Sequence, residues 1–467
     1  MRSQDIREAF LKHQQNQGHV EIARANLVPN KDESTLFTGS GMQAILPYLL
    51  GESHPDGERL SNSQPCLRSQ DIEEVGDNRH TTFFEMLGNW SLGDYFKEQQ
   101  IRSFFTFLVD DVGIDPTKIY VTCFMGDEEH GLPRDTEAAE IWQRVFTEYG
   151  IQADVATIGS QANGNSRGIN PGERIFFYDS DENWWSRGGS LLGTPFGDPC
   201  GPDSEVFYDF GPDSHDETYG KAHPASDSGQ FMEIGNQVFM QYRRELDGTF
   251  SQLEKRNVDF GGGLERITAA SLNNPDVYVG SLLWPIVELL SDLSNSPYES
   301  HRTSLRIIAD HLRGAVFLTA DGVVPSNKEQ GYVLRRLLRR SITTARAMGF
   351  TDSFFEPVVK LISDLYESDY PEIRLNREKI LGILTKEETV FRRTLDAGIR
   401  VLERHDGVLT GKDIFKLSDT KGFPKELSIE EAHRLGLSID PQWEIVYAAE
   451  LDEQKSRSRA KQRSAQQ

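Results

Sequence analysis

Six residues just past the middle of the chain constrain its fold most: Gly261, Gly262, Gly263, Leu264, Glu265 and Arg266. Three successive glycines let a backbone turn tightly and approach a ligand closely, and residues 264–272 (LERITAASL) read as a helix that follows the turn. A permanently charged guanidinium then stands behind a glycine turn at a helix N-terminus, an arrangement suited to phosphate groups such as those of ATP. Taken alone, the same string also describes a flexible turn opening an ordinary buried helix.

A segment far upstream, residues 66–96 (CLRSQDIEEVGDNRHTTFFEMLGNWSLGDYF), strengthens the first reading. Cys66, Leu67 and Arg68 read as the end of a short strand, residues 71–78 as an acidic, turn-rich loop, and residues 81–87 as a returning strand rich in aromatic and β-branched residues. On such an antiparallel hairpin Arg68 points into a groove. By itself the hairpin is equally an amphipathic pair of core strands. An Arg on one strand, a Phe on the next and a distant glycine-turn-Arg together resemble motifs 2 and 3 of the class II aminoacyl-tRNA synthetases. Residues 82–96 (TFFEMLGNWSLGDYF), 258–267 (VDFGGGLERI), 325–340 (PSNKEQGYVLRRLLRR) and 418–424 (SDTKGFP) resemble one group within that class, the alanyl-tRNA synthetases. The matches follow the family order along nearly the whole chain.

At 467 residues the chain is long enough for two or three domains. No apolar run approaches the roughly 20 residues needed to cross a bilayer, and the N-terminus has no apolar signal region, which points to a cytoplasmic protein with no membrane partner. Cys66, Cys123 and Cys200 are odd in number and widely spaced, so they read as reduced thiols, neither a disulfide framework nor a zinc site. The formal charge of −23 argues against indiscriminate nucleic-acid binding. Net charge is not the local field, however. Basic residues gather at Arg335, Arg336, Arg339, Arg340 and Arg346, and again at Lys455, Arg457, Arg459, Lys461 and Arg463; without the resemblance these are a solvated helix face and a charged tail.

The pattern divides the chain in two. Residues 1–274 mix helices with many strands and read as an α+β catalytic domain, an antiparallel β-sheet flanked by helices. Ile6, Ala9, Phe10 and His13 mark an opening helix, while residues 118–124 (KIYVTCF) and 205–210 (EVFYDF) read as strands. Asn273, Asn274, Pro275 and Asp276 form a turn-prone break. Residues 275–467 then read as mainly helical: Leu305, Ile308, Ala309, Leu312 and Val316 form one core stripe, Ile380, Leu384, Phe391, Leu395 and Leu402 another, and Asp440-Pro441 marks the start of a final helix.

The resemblance implies an enzyme that activates alanine with ATP and Mg2+ and transfers it to the 3′ end of tRNA(Ala). It implies that Arg68 bridges the α-phosphate and the alanine carboxylate, that Arg266 holds the γ-phosphate, that Phe83 stacks on adenine, and that Glu233 serves magnesium. It assigns the alanine pocket to Asp259 (for the ammonium), Trp185 or its neighbour Trp184 (for the wall) and Asn236. It gives Asn327 and Asp419 the reading of a G·U pair in the acceptor stem, with Arg336 and Arg340 on phosphates. Outside this context Phe83, Trp185 and Trp184 read as core, Glu233 as a surface charge, and Asp259, Asn327 and Asp419 as turn or cap formers.

Two departures from the family pattern stand out. The stretch after Arg68, usually basic and glycine-containing, is here Ser69, Gln70, Asp71 and Ile72, and Asp203 stands where a cysteine is common. Two rival readings are a class II paralogue that binds ATP without charging tRNA, and a non-enzymatic RNA-binding regulator. Asn327, Asp419 and the helical part speak against the first; Arg68 and Arg266 speak against the second. The family's zinc-containing editing domain and C-terminal oligomerisation domain have no counterpart in these residues, so the expectation is a zinc-free, monomeric core. The sequence leaves open whether this is the protein's natural extent, with seryl- and glycyl-tRNA cleared by a separate editing protein in trans, or a shortened version.

Overall fold

The computed structural model describes residues 1–29 and 35–464, the last eight of them as backbone only. Of the basic tail, the side chains of Arg457, Arg459, Lys461 and Arg463 lie outside the described residues. The chain forms two compact units, Met1–Glu288 and Leu289–Gln467.

The first unit is built on a ten-stranded sheet. Its strands are β1 (Val20–Glu21), β2 (Arg59–Leu67), β3 (Phe83–Leu92), β4 (Ile119–Phe124), β5 (Asp154–Gly159), β6 (Glu173–Tyr178), β7 (Trp184–Trp185), β8 (Pro199–Asp209), β9 (Phe231–Arg244) and β10 (Phe250–Gly263). They run in the order β1-β2-β3-β10-β9-β8-β4-β6-β5, with β7 paired to β8. The antiparallel sheet expected from the sequence is its centre, from β2 across to β4. The flanks add parallel pairs, β1 on β2 and β6 on both β4 and β5. The β4 to β6 stretch passes through helices Thr136–Glu148 and Gln161–Arg167, and such crossovers are what parallel pairing requires.

The glycine run departs from its expected form. Gly261, Gly262 and Gly263 are the last residues of β10, none has a positive φ, and the strand passes straight into the helix at Leu264. Glycine is needed there for space: a Cβ on Gly261 would lie 2.8 Å from the Met86 sulfur, and one on Gly262 3.0 Å from the Phe260 ring.

Helix α1 (Ser3–Asn16) buries Ile6, Arg7 and Phe10, and helix α2 (Leu264–Ser271) buries Glu265, Ile267 and Thr268. Between them lies a buried polar cluster. Arg7 Nε and Nη2 donate to the two Glu85 oxygens at 2.8 and 2.6 Å, Ser63 Oγ donates to Glu85 at 3.1 Å, and the Glu85 backbone N–H donates to Glu265 at 3.2 Å. Ser3 and Thr268 join α1 to α2 through their hydroxyls at 2.9 Å.

The turn at residues 273–276 ends the strand-bearing region, with Asn273 at φ 49° and a helix Trp284–Ser294 running across the boundary between the units. The second unit is helical. The stripe Leu305, Ile308, Ala309, Leu312 and Val316 is buried in α3 (Tyr298–Ala320), followed by α4 (Glu329–Ala347). The stripe from Ile380 to Leu402 is buried in α5 (Arg377–Leu402), followed by α6 (Gly411–Lys421) and α7 (Trp443–Ser464). The turn before α7 is held by the Asp440 carboxylate, which accepts from the Gln442 N–H at 2.9 Å. No described helix is long and apolar enough to cross a membrane.

Arg7→Met is expected to destabilise the chain by about 3–5 kcal/mol, since it strands a buried carboxylate. The double variant Arg7→Met/Glu85→Met recovers most of that loss, because both charges then leave together. Urea unfolding of the two variants measures this; equal losses in single and double would contradict it.

Candidate active site

Strand register brings the candidate residues to one face of the sheet. Gly261 of β10 lies opposite Gly88 of β3 and Asn236 of β9, and Asp259 lies opposite Trp90 and Val238. Side chains alternate along a strand, so Phe84, Met86, Gly88 and Trp90 share this face with Asp259, Gly261 and Gly263. On β8, Glu205 lies opposite Asn236 and Asp203 opposite Val238, extending the same face.

Glu233 and Asn236 are three apart, which on a regular strand would put them on opposite faces. Val206 pairs with Gly235 while the next residue, Phe207, pairs with Glu233, so Ile234 is an inserted residue in β9. A bulge of this kind re-aims the side chain beside it, and Glu233 reaches the cleft that Arg68 and Arg266 line.

Arg68 follows β2 and is anchored by its Nε donating to the Gly39 carbonyl at 3.1 Å, with its guanidinium 4.9 Å from the Phe84 ring centre. Across the cleft, Arg266 Nη1 donates to Glu233 twice, to a side-chain oxygen at 3.0 Å and to the backbone carbonyl at 3.1 Å. The helix turn following β10 is what turns Arg266 toward β9. Gly261 and Gly263 keep the cleft floor bare of side chains.

The adenine-stacking position expected at Phe83 is corrected. Phe83 is fully buried on the packing face, whereas its neighbour Phe84 lines the cleft beside Arg68. Leu67, opposite Phe83 in the register, is buried on the same packing face.

Arg79 and His80 also line the cleft and were missed as candidates. The His80 imidazole bonds Asp77 at 2.6 Å and lies 3.2 Å from Glu74, and the Asp77 bond holds it above its usual range and hence more cationic. Their signal was local, a basic pair four and five residues before Phe84 in an otherwise acidic loop. In that loop Asp71 faces the same cleft, and burial raises its carboxyl.

Beyond Glu233 the face becomes acidic. Asn236 Nδ2 donates weakly to Asp203 and Glu205 at 3.4 and 3.3 Å, and Asn183 donates to Asp203 at 3.1 Å. Burial pushes both acids up, and for Glu205 the charges of Glu233 and Asp203 push in the same direction. The Asn236 carbonyl oxygen is buried without a partner.

Asp259 accepts from Trp90 Nε1 at 2.7 Å and is buried, which raises its carboxyl to about 7 despite that bond. The indole lies over Gly88, where a Cβ would come 2.5 Å from the ring. Trp185 packs against the cluster containing Trp90 and Val238, while Trp184 is buried among Phe124, Leu191, Cys200 and Tyr242. Trp185 is therefore the one on the Asp259 side.

In the second unit, Asn327 is exposed ahead of α4 and its side-chain oxygen accepts from Arg335, while exposed Asp419 on α6 accepts from Gln454. Arg336 is half-buried. Arg340, expected on a phosphate, is half-buried as well and donates to the buried His311 of α3 at 3.0 Å.

A family profile described as tRNA synthetases, class II (A), matches residues 5–467. This chain belongs to the class II tRNA synthetases. Among curated relatives of this class II chain, an alanine-tRNA ligase from Borrelia hermsii is 38% identical over 453 residues, covering 94% of this chain and 70% of that protein. One from Treponema pallidum is 38% identical over 458 residues, with the same two shares, 94% and 70%. One from Natranaerobius thermophilus is 35% identical over 482 residues, covering all of this chain and 50% of that longer protein.

For this synthetase, Phe84→Ala is expected to weaken ATP by about 1–3 kcal/mol, the worth of one stacked base, with stability retained. Phe83→Ala should instead cost about 3–5 kcal/mol of stability. ATP KM and melting curves of the pair separate the two positions. The pH dependence follows from Asp259. An ammonium needs the ionised carboxylate, so as pH falls below about 7 the anion is lost and the KM for alanine rises, approaching tenfold per unit. Asp259→Asn should bind alanine poorly at every pH with a flatter profile; an unchanged profile would exclude this group.

Proposed function

We infer that this chain is an alanine-tRNA ligase: it activates alanine with ATP to alanyl-adenylate and then passes the alanyl group to the 3′ end of tRNA(Ala). The observation that carries the reading is the convergence of Arg68, Phe84 and Arg266 on one cleft, on the same sheet face as the buried, indole-held Asp259.

The alanine carboxylate attacks the α-phosphorus of ATP, and pyrophosphate leaves. No covalent protein nucleophile is needed, so rate comes from alignment and from cations placed where charge develops on phosphate oxygens. Arg68 is held from behind by Gly39, which leaves its fork to bridge the α-phosphate and the alanine carboxylate. Phe84 supports the adenine. Arg266 takes the far phosphates, exchanging its contact with Glu233 for them, and Arg79 and His80 add positive charge on the same wall.

Glu233 with Glu205 offers hard carboxylate oxygens of the kind Mg2+ prefers. Among the described residues no group of three or more His, Cys, Asp or Glu side chains could hold a metal alone, so the ion would share its ligands with ATP phosphates. Bound there, it would neutralise phosphate charge.

Alanine's ammonium goes to Asp259, with the unpartnered Asn236 carbonyl oxygen as a further acceptor and Trp185 as the wall. In the second step a hydroxyl of the terminal tRNA adenosine attacks the activated carbonyl and AMP leaves. Residues 1–274 would form the catalytic domain and residues 275–467 the acceptor-stem domain, where Asn327 and Asp419 read the G·U pair.

Alanine-dependent pyrophosphate exchange tests the first step. Arg266→Ala and Arg68→Ala should each lose about 3–4 kcal/mol of transition-state stabilisation with melting temperature little changed; near-normal exchange would remove the role. Asn327→Ala and Asp419→Ala should keep exchange and lose charging, with less preference for a G·U acceptor stem over a G·C one.

A further inference from the structure

Neither of the two candidate recognition residues stands alone. Arg335 spreads its guanidinium over the segment that carries Asn327: Nη1 donates to the Asn327 side-chain oxygen and Nη2 to the Pro325 carbonyl at 3.3 Å. One turn along α4, Arg339 donates through Nη1 at 3.2 Å to the carbonyl of Gly422, the left-handed residue that caps the helix carrying Asp419. Between the two arginines sits Glu387 of α5, its side chain 10% exposed. It accepts from Arg335 Nε at 2.9 Å and Nη2 at 3.4 Å, and from Arg339 Nε at 3.3 Å. Arg339 also lies 4.7 Å over the Phe391 ring, which belongs to the same helix as Glu387.

We propose that Glu387 is a positioning residue for tRNA selection: its one carboxylate aligns Arg335 and Arg339 and so fixes the spacing of Asn327 and Asp419 on the RNA-facing surface. Two arginines one turn apart repel each other, and a shared carboxylate converts that repulsion into a fixed pair of forks. One fork grips the segment before α4, the other the end of α6. The same contacts set the chemistry of the reading groups. Arg335 engages the Asn327 side-chain oxygen and so orients the amide, which brings its NH2 group to the RNA as the donor, while the Asp419 carboxylate can only accept. A donor and an acceptor held at a fixed separation fit only a base pair that offers their complements at that separation. This inference rests on the reading of Asn327 and Asp419 as acceptor-stem contacts.

The test measures charging kcat/KM on tRNA with G·U and with G·C at the recognised pair, beside alanine-dependent pyrophosphate exchange, for the parent, Glu387→Gln, Glu387→Asp, Asn327→Ala and Glu387→Gln/Asn327→Ala. Glu387→Gln keeps the shape but removes the negative charge between the two guanidinium groups and the second oxygen, which accepts from Arg335 Nη2. It is expected to lower the G·U over G·C preference by about tenfold, the size of one lost base-edge contact. Glu387→Asp should restore part of the preference, and Asn327→Ala should cost less in the Glu387→Gln background than in the parent, since coupled residues are not additive. A Glu387→Gln enzyme with unchanged preference, while Asn327→Ala loses it, would overturn the positioning role and leave the underlying reading intact. If neither Asn327→Ala nor Asp419→Ala alters the preference, that reading fails and the inference falls with it. Parallel loss of exchange and charging in both Glu387 variants, with a lowered melting temperature, would make Glu387 a packing residue and also overturn the proposal.

Discussion

Beneath the sheet, where no water reaches, the Arg7 guanidinium grips the Glu85 carboxylate with two parallel bonds. Taking both charges out of water costs several kcal/mol per ion, and the attraction offsets this only with good geometry and with the remaining lone pairs satisfied. Ser63 fills one of those positions. The pair cannot form unless Glu85 points to the packing face, and that single choice sets the parity of β3. Phe84, Met86, Gly88 and Trp90 then point to the other face. Glu265 enters the same cluster through the Glu85 backbone, which orients α2 and with it Arg266, the next residue. The reacting face is thus fixed from behind, by charges that never meet a substrate.

The reacting face is electrostatically unfinished. Arg266 rests on Glu233, the Asp203 and Glu205 carboxyls are raised by burial and by neighbouring acids, and Asp259 is raised by burial. Buried acids without cations are costly. Under the proposed function, a dication and an ammonium would give these acids cationic partners, and a triphosphate would take up Arg266. Several of the arginines that the sequence displays have partners within the protein: Arg335 and Arg339 bond Glu387, and Arg340 bonds His311.

What the sequence determined by itself was set by local chemistry. Helix stripes at Leu305 to Val316 and Ile380 to Leu402 were readable because period and burial coincide. The α+β class and the meeting of Arg68 and Arg266 at one cleft were readable because hairpin composition and motif wording are local too. Only the tertiary structure decided which of Phe83 and Phe84 faces the cleft, since adjacent strand residues differ in parity alone and parity comes from Arg7, 78 residues away. Long-range packing also made the glycine run a strand end under Met86 rather than a turn, inserted Ile234 so that Glu233 and Asn236 share a face, and bonded Arg340 to His311. Each of these depends on a partner distant along the chain, and no window of sequence contains both partners.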